Sequence, residues 1–271
     1  WELFFFNNKW SKNMNKIKIA LLSLLITFAG LIAADDHNQY PPTFSMEGLQ
    51  CNLAEGKDMD DAMKVIAKWK DYGDENFSAP YNAWILTAVY ASKSDFPFDF
   101  AFTGYAFNGT DMGKVNDDWV NGGGAEKIGS QWEAVTDCSQ SLFTVVQARQ
   151  SQMNFEEGSN SLMAIQTCSF REGKTGNDLA ASDSEWNAWL DGLEYNGGVY
   201  RWWPGPGSPT SFEGDFYLAM GFESHEAFGK YRDDRMNSAR AGTMPEGILN
   251  CDMPRIYSAT NVRLDNNPSS E

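Results

Sequence analysis

One stretch of the chain occurs twice, and this limits the available folds more than any other feature. Gln50 to Trp69 reads QCNLAEGKDMDDAMKVIAKW, and Gln166 to Trp186 reads QTCSFREGKTGNDLAASDSEW. Cys51 aligns with Cys168, Glu55-Gly56-Lys57 with Glu172-Gly173-Lys174, and Trp69 with Trp186. The match continues downstream. Asp99-Phe100 aligns with Asp215-Phe216, Gly113-Lys114 with Gly229-Lys230, Cys138 with Cys251, and Arg149 with Arg263. So many ordered anchors point to one structural unit used twice, with small deletions in its loops.

Both copies show the same order of elements. In the first, Ser45 to Leu53 reads as a strand, and Glu55-Gly56-Lys57 turns the chain. Asp58 is placed to cap a helix, with Asp60 and Asp61 in its electropositive first turn. Met59, Ala62, Met63, Ile66 and Trp69 form one apolar stripe of that helix, which Tyr72-Gly73 is expected to end. Tyr81 to Ser92 and Asp99 to Asn108 are rich in aromatic and β-branched residues and read as strands. Thr110 is expected to cap a second helix, and Cys138 to open a strand over Ser141 to Gln150. The second copy repeats this. A strand covers Leu162 to Phe170, and a helix starts at Asn177 or Asp178. Strands cover Val199 to Trp203 and Asp215 to Phe222, Ser224 caps a helix, and a last strand spans Ile256 to Leu264.

Each copy is therefore βαββαβ, the ferredoxin-like split βαβ unit. Right-handed crossovers impose an antiparallel strand order 4-1-3-2 with both helices on one face. The end of the first strand then lies beside the start of the fourth. That geometry pairs Cys51 with Cys138 and Cys168 with Cys251, in the disulfide-forming setting that an exported chain would meet. No C-x-x-C spacing is present, so a redox motif is not expected.

A sheet with helices on one face needs cover on the other, and two tandem units supply it to each other. The expected fold is α+β, with two tandem ferredoxin-like βαββαβ repeats packed as a pseudo-dimer, sheet against sheet. This arrangement resembles the dimeric α+β barrel superfamily, with two repeats fused in one chain over about Phe44 to Leu264. That superfamily includes cofactor-free monooxygenases, lactone isomerases and haem enzymes. The resemblance rests on element order and duplication, so it implies a fold and does not choose among those activities.

The N-terminus reads as a targeting segment. Met14-Asn15-Lys16-Ile17-Lys18 is a short basic region, followed by an apolar run from Ile19 to Ile32 and then Ala33-Ala34. This is the layout of a secretory signal peptide cleaved near Ala34, with Met14 as the start. The expected location is periplasmic or secreted, with membrane association only if the segment stays uncleaved. The expected organisation is 1–34 as upstream residues plus signal peptide, 35–43 as linker, 44–151 as first repeat, 152–160 as polar connector, 161–265 as second repeat and 266–271 as polar tail. The formal net charge of −16 excludes a phosphate-backbone partner. The expected partner is a small apolar or anionic ligand, with no nucleic acid, and the chain is expected to be a monomer because its repeats pair internally.

Catalytic motifs are scarce. No Ser-His-Asp arrangement, H-E-x-x-H, P-loop or G-x-G-x-x-G stands out. Asp58, Asp60 and Asp61 lack the spacing of a calcium loop and read as helix-start acids. Lys57 and Lys174 read as turn residues whose stems cover the sheet edge. The haem-binding members of the superfamily use a helix histidine. Here His225 stands at a helix start, so neither a cofactor nor a metal is expected. The largest difference between the copies is Tyr200-Arg201-Trp202-Trp203-Pro204-Gly205-Pro206-Gly207. Adjacent residues on a strand face opposite ways, so one of Trp202 and Trp203 faces the inter-sheet space. The expected ligand site gathers Tyr200, Arg201, Trp202 and Trp203 with Trp84, Tyr90 and Tyr105. On these features the first expectation is an exported small-molecule-binding or accessory protein of the cell envelope. The alternatives are a cofactor-independent monooxygenase- or isomerase-like enzyme with a cavity between the sheets, and an aromatic-surface interaction module.

Overall fold

The computed structural model describes residues 41–265. The expected signal segment, most of the expected linker and the expected tail lie outside them. The element order is β1 (Thr43–Leu53), α1 (Met59–Asn76), β2 (Tyr81–Tyr90), β3 (Phe100–Ala106), α2 (Gly109–Asn121), a π turn (Ala125–Gly129), α3 (Ser130–Glu133) and β4 (Thr136–Arg149). It continues with β5 (Asn160–Phe170), a 3-10 turn (Gly176–Asp178), α4 (Leu179–Gly192), β6 (Val199–Pro204), β7 (Phe216–Phe222), α5 (His225–Ala241), β8 (Leu249–Cys251) and β9 (Arg255–Arg263). Among the described residues no helix is long and apolar enough to cross a membrane.

Local physics accounts for most boundaries and for the ones that differ from expectation. Asp58 caps α1 by accepting from the Asp61 amide at 3.0 Å, and Ser224 caps α5 by accepting from the Ala227 amide at 3.1 Å. α1 does not stop at Gly73. A Cβ there would lie 2.8 Å from the Phe77 ring, so this glycine admits an aromatic instead of ending the helix. The cap of α2 is Asn108, which accepts from the Asp111 amide at 2.9 Å, and not Thr110. β4 opens at Thr136, which places Cys138 inside the strand. The last expected strand is preceded by the short β8, which ends in Cys251.

The strands close into a ring. Within the first half of the chain the order is β4-β1-β3-β2, and within the second it is β9-β5-β7-β6. The ring closes where β2 pairs with β9 and β4 pairs with β6, and every pairing is antiparallel. The two sheets are thus not merely stacked. They hydrogen-bond along both borders into an eight-stranded antiparallel barrel, with β8 as a short addition to β5. Closure removes the unpaired edges that two facing sheets would leave. An eight-stranded barrel is just wide enough for side chains to fill it or for one small ligand to occupy it.

Strand alternation sorts side chains into a lumen and two outer layers. Met46, Leu86, Val145, Ile165, Trp202, Ala219, Tyr257 and Ala259 pack in the lumen. Outside, Ala62, Ile66, Met112 and Val115 of α1 and α2 cover Tyr81, Ile85, Phe100 and Phe102. Leu190 of α4, with Phe228 and Tyr231 of α5, covers Leu162, Phe222 and Ile256. Disulfides join Cys51 to Cys138 and Cys168 to Cys251, each across directly paired residues of neighbouring strands.

Two arginines tie each half's last strand to the other half's first helix. Arg149 at the end of β4 donates to Asp191 of α4 at 2.7 Å and to the Tyr195 carbonyl at 2.9 Å. Arg263 at the end of β9 donates to Asp74 of α1 at 2.9 Å and also to the Tyr81 carbonyl. Both side chains are nearly buried, and each guanidinium lies over an aromatic ring, Tyr195 and Phe77 respectively.

Candidate functional site

One end of the lumen is not filled. A cavity of about 240 Å³ opens there. Its walls come from both halves: Phe44 of β1, Trp84 of β2, Tyr105 of β3, Gln147 of β4, Ser161 and Met163 of β5, and Tyr200 of β6. All of these except Gln147 and Ser161 are aromatic or apolar in body, so the walls are mostly flat rings. Trp84 and Tyr105 meet edge to face with centroids 5.4 Å apart. Phe107, 39% exposed, marks the mouth. The other end of the lumen is plugged by aromatics. Phe96 packs on Phe98 and Tyr257, and Phe143 on Tyr217.

The segment between β4 and β5 forms the cavity's remaining wall. Its burial alternates, with Ser151, Met153 and Phe155 facing the barrel and Gln152, Asn154 and Glu156 facing solvent. It is pinned at both ends. The Gln152 amide donates to the Asn196 carbonyl at 2.8 Å. The Gly158 amide donates to the Asn261 carbonyl at 2.8 Å. Glu157 accepts from the Leu264 amide at 3.2 Å and pairs with Lys70 at 3.3 Å. Phe155 lies against Trp84 with centroids 6.0 Å apart.

The chemistry of this lining is uncharged. It holds no carboxylate, amine, guanidinium or imidazole. Its polar groups are the amides of Asn82 and Gln147, the hydroxyls of Ser161, Tyr105 and Tyr200, and the indole N–H of Trp84. Burial pushes the Tyr105 phenol well above the usual tyrosine range, and the nearby Tyr200 adds to the effect. Burial also raises Tyr200, with Gln147 offsetting part of the rise. Both phenols therefore stay protonated across the physiological range. They can donate hydrogen bonds to a developing oxyanion, but they cannot act as bases.

The residues expected at a ligand site divide. Trp84, Tyr105 and Tyr200 line the cavity. Trp202 also faces the lumen but is packed in its core, 5% exposed. Arg201 points the other way, out of the lumen, and forms a two-pronged pair with Asp183 of α4, one contact being 3.0 Å. Trp203 packs on Phe216 and Phe170 outside the barrel. Tyr90 is exposed at the far end of β2. The Trp-Trp run thus forms no exposed flat patch. Sequence reasoning missed Phe44, Asn82, Gln147, Ser161, Met163, Met153 and Phe155. The signal for the last two was present, as apolar residues alternating with polar ones in a segment read only as a polar connector.

A second depression, around Asp74, Ser78, Arg263 and Asp265, is polar, and its one cation is taken up by the two carboxylates and by backbone carbonyls. Among the described residues no group of three or more His, Cys, Asp or Glu side chains could hold a metal ion. The histidine ligand that haem-binding members of the superfamily use has no counterpart in the cavity. His225 is exposed as the first residue of α5, and the lumen cavity offers no axial ligand from histidine or cysteine.

No family model matches the chain, and no curated protein matches it in sequence. Solved structures do match in fold. A candidate monooxygenase from Fusobacterium nucleatum superposes with a TM-score of 0.51 at 6% identity, over 84% of this chain and 96% of that one. A candidate monooxygenase from Lactobacillus acidophilus gives 0.48 at 10% identity, over 81% and 94%. A candidate chlorite dismutase gives 0.48 at 14% identity, over 82% and 95%. At such identities the likeness is one of fold, and at fold level the chain resembles the dimeric α+β barrel superfamily. The neighbour with the TM-score of 0.51 is named as a candidate monooxygenase, which goes against the first expectation of an exported small-molecule-binding or accessory protein of the cell envelope; at 6% identity it shows the fold alone.

Proposed function

We propose that the protein is a cofactor-independent enzyme of the monooxygenase or isomerase kind. Its substrate is a small, flat, enolisable hydroxyarene or enone bound in the barrel lumen. The observation that carries this reading is the cavity itself: aromatic walls with a few neutral donors, at the open end of an otherwise packed lumen. An apolar cavity of about 150 Å³ takes up benzene. A volume of about 240 Å³ therefore suits one to two fused rings. Oxygenation and isomerisation both begin from the oxyanion of such a substrate. Tyr105 and Tyr200, held neutral, donate hydrogen bonds to it, and the dry walls strengthen those bonds. Gln147 and Asn82 fix the orientation; water at the mouth accepts the hydroxyl proton of a hydroxyarene, and for an enone it accepts the α-proton and returns one at the γ-carbon.

For oxygenation the substrate is its own reductant. With 1-naphthol as probe, C10H8O and O2 give C10H6O2, 1,4-naphthoquinone, and H2O. One oxygen atom enters the ring and the other leaves as water. The experiment is oxygen uptake with 18O2 and mass analysis of the quinone. Uptake above the protein-free rate, with one labelled oxygen per quinone, is expected. It should fall about tenfold or more in Tyr200→Phe, as expected on removal of a single oxyanion donor. Bound probe with neither oxygen uptake nor enone isomerisation would overturn the enzyme reading.

The same proposal includes the finer architecture and setting. The halves are read as a duplicated unit, 44–151 and 161–265, folded as a pseudo-dimer within one chain. Matching strand orders, disulfides and arginine ties support this. Because the barrel closes on itself, the protein is proposed to act as a monomer. Two disulfides and the signal-like segment support export to the periplasm or beyond.

A further inference from the structure

Strand register gives each lumen position of one half a counterpart in the other. Cys51 pairs with Phe100 and Cys168 with Phe216. Further along the same ladders Met46 pairs with Tyr105, and Met163 pairs with Gly221. Gly221 is thus the counterpart of Tyr105, and it leaves a gap where the first half has a phenol ring. That gap is not empty. A Cβ on Gly221 would lie 3.2 Å from Cε of Met153, the inward-facing residue of the segment pinned across the barrel end. The missing ring of β7 is replaced by a thioether from the connector.

We infer that Met153 is the specificity-determining residue of the lumen site and sets the length of the aromatic ligand that fits. This rests on the reading of the cavity as a substrate site. The ligand lies with one edge toward Tyr105 and Trp84 and the other toward Met153 and Gly221. The thioether is flexible and polarisable, and it makes favourable contacts with ring edges, so it suits a flat aromatic end group. Shortening it joins the Gly221 gap to the cavity and makes room for a further ring. A methyl group on Gly221 does the reverse and pushes Met153 inward. The Tyr105 side stays unchanged in both variants, so its hydroxyl should hold the ligand oxygen in one place while the far boundary moves.

The test uses two fluorescent probes, 1-naphthol and 1-hydroxyanthracene, titrated against the full chain and followed by probe emission. Wild-type protein is expected to prefer 1-naphthol. Met153→Ala is expected to shift the affinity ratio toward 1-hydroxyanthracene by about tenfold or more, in line with the discrimination that an apolar pocket achieves by size. Gly221→Ala should weaken 1-hydroxyanthracene further, and Met153→Leu, which keeps the volume, should leave the ratio near that of wild type. An unchanged ratio in Met153→Ala, with both probes still bound, overturns the assignment and leaves the enzyme reading standing. Binding of neither probe to the wild-type protein overturns both. Circular dichroism of each variant identifies misfolding, and Met153→Leu carries the comparison if Met153→Ala unfolds: a tenfold shift in that variant also overturns the assignment.

Discussion

Counting along β1 and β5 from their cysteines, Glu47 of the first half stands where Ala164 stands in the second. Counting along β2 and β6 from their paired strands, Ile85 stands where Arg201 stands, and the α1 residue Ile66 matches Asp183 of α4. The first half thus fills this part of its sheet–helix interface with two isoleucines, and the second with a guanidinium–carboxylate pair. In the lumen, Trp84 stands where Tyr200 stands in the second half, and Tyr105 where Gly221 stands. By contrast, the disulfides and the Arg149 and Arg263 ties are the same in both halves. The shared features all hold strands to strands or one half to the other. The differing features are the ones that shape the lumen or the local packing. The barrel's frame is therefore separable from its contents, and substitutions should sort the same way.

The largest expected effect tests the shared frame. The bridges close chain separations of 87 and 83 residues, so their loss should cost nearly the same. Cys51→Ser with Cys138→Ser, and Cys168→Ser with Cys251→Ser, are each expected to lower stability by about 4–5 kcal/mol on the chain-entropy model. Urea unfolding of the two double variants measures this. A cost in one half less than half that of the other would break the equivalence of the frames.

The next effect tests a difference. Asp183→Asn removes the partner of a guanidinium that is 4% exposed, and should cost about 3 kcal/mol. Copying the first half instead, by Arg201→Ile with Asp183→Ile, removes both charges. That double variant should lie within about 1 kcal/mol of wild type, because a well-packed apolar pair replaces a buried ion pair at little cost. Thermal unfolding of the single and double variants decides. A double variant as unstable as the single one would show that the second half needs the charges.

A smaller effect compares the two ties. Arg263 donates to two carboxylates and to backbone carbonyls, whereas the Arg149 partner Asp191 is 67% exposed. Arg263→Met should therefore cost about 2 kcal/mol and Arg149→Met about 1 kcal/mol, mostly from backbone carbonyls left unpaired. Chemical denaturation that ranks them the other way would mean that the exposed carboxylate contributes more than screening allows.

Much of the frame was legible in the sequence. The repeated order of strands and helices and right-handed crossovers were enough to derive a strand order for each half. Closure into a barrel was not legible, because periodicity within a strand says nothing about which strands of different halves share hydrogen bonds. The site was legible only in part. The Tyr200–Trp203 run stood out as the largest difference between the copies, and it led to Trp84 on the equivalent strand, but difference in sequence does not sort faces: strand parity turns Arg201 and Trp203 outward. Met153 escaped because a segment without regular pairing was read by its polarity, although its alternation matched a strand lying across a barrel end. Gly221 escaped because a missing side chain carries no signal until its counterpart Tyr105 is seen opposite.

The smallest effect is one of pH, and it is confined to the first half. Burial raises the Glu47 carboxyl above its ordinary value, against hydrogen bonds from Tyr81 and Gln140 that act the other way. The folded state thus holds this proton to higher pH than the unfolded chain does. Between the ordinary carboxyl pKa of 4.5 and the raised one, the native state binds more protons, so stability falls as pH rises through that window. Glu47→Gln keeps an acceptor for Tyr81 and removes the titration. Its stability relative to wild type is expected to increase as pH is raised from about 4.5 toward neutrality. No such slope is expected from the second half, where Ala164 occupies the position. Urea unfolding of wild type and Glu47→Gln at several pH values reads the difference. If the two curves stay parallel, the carboxylate is better solvated than its burial against Tyr81 implies. The contrast between the interfaces would then reduce to the Arg201–Asp183 pair.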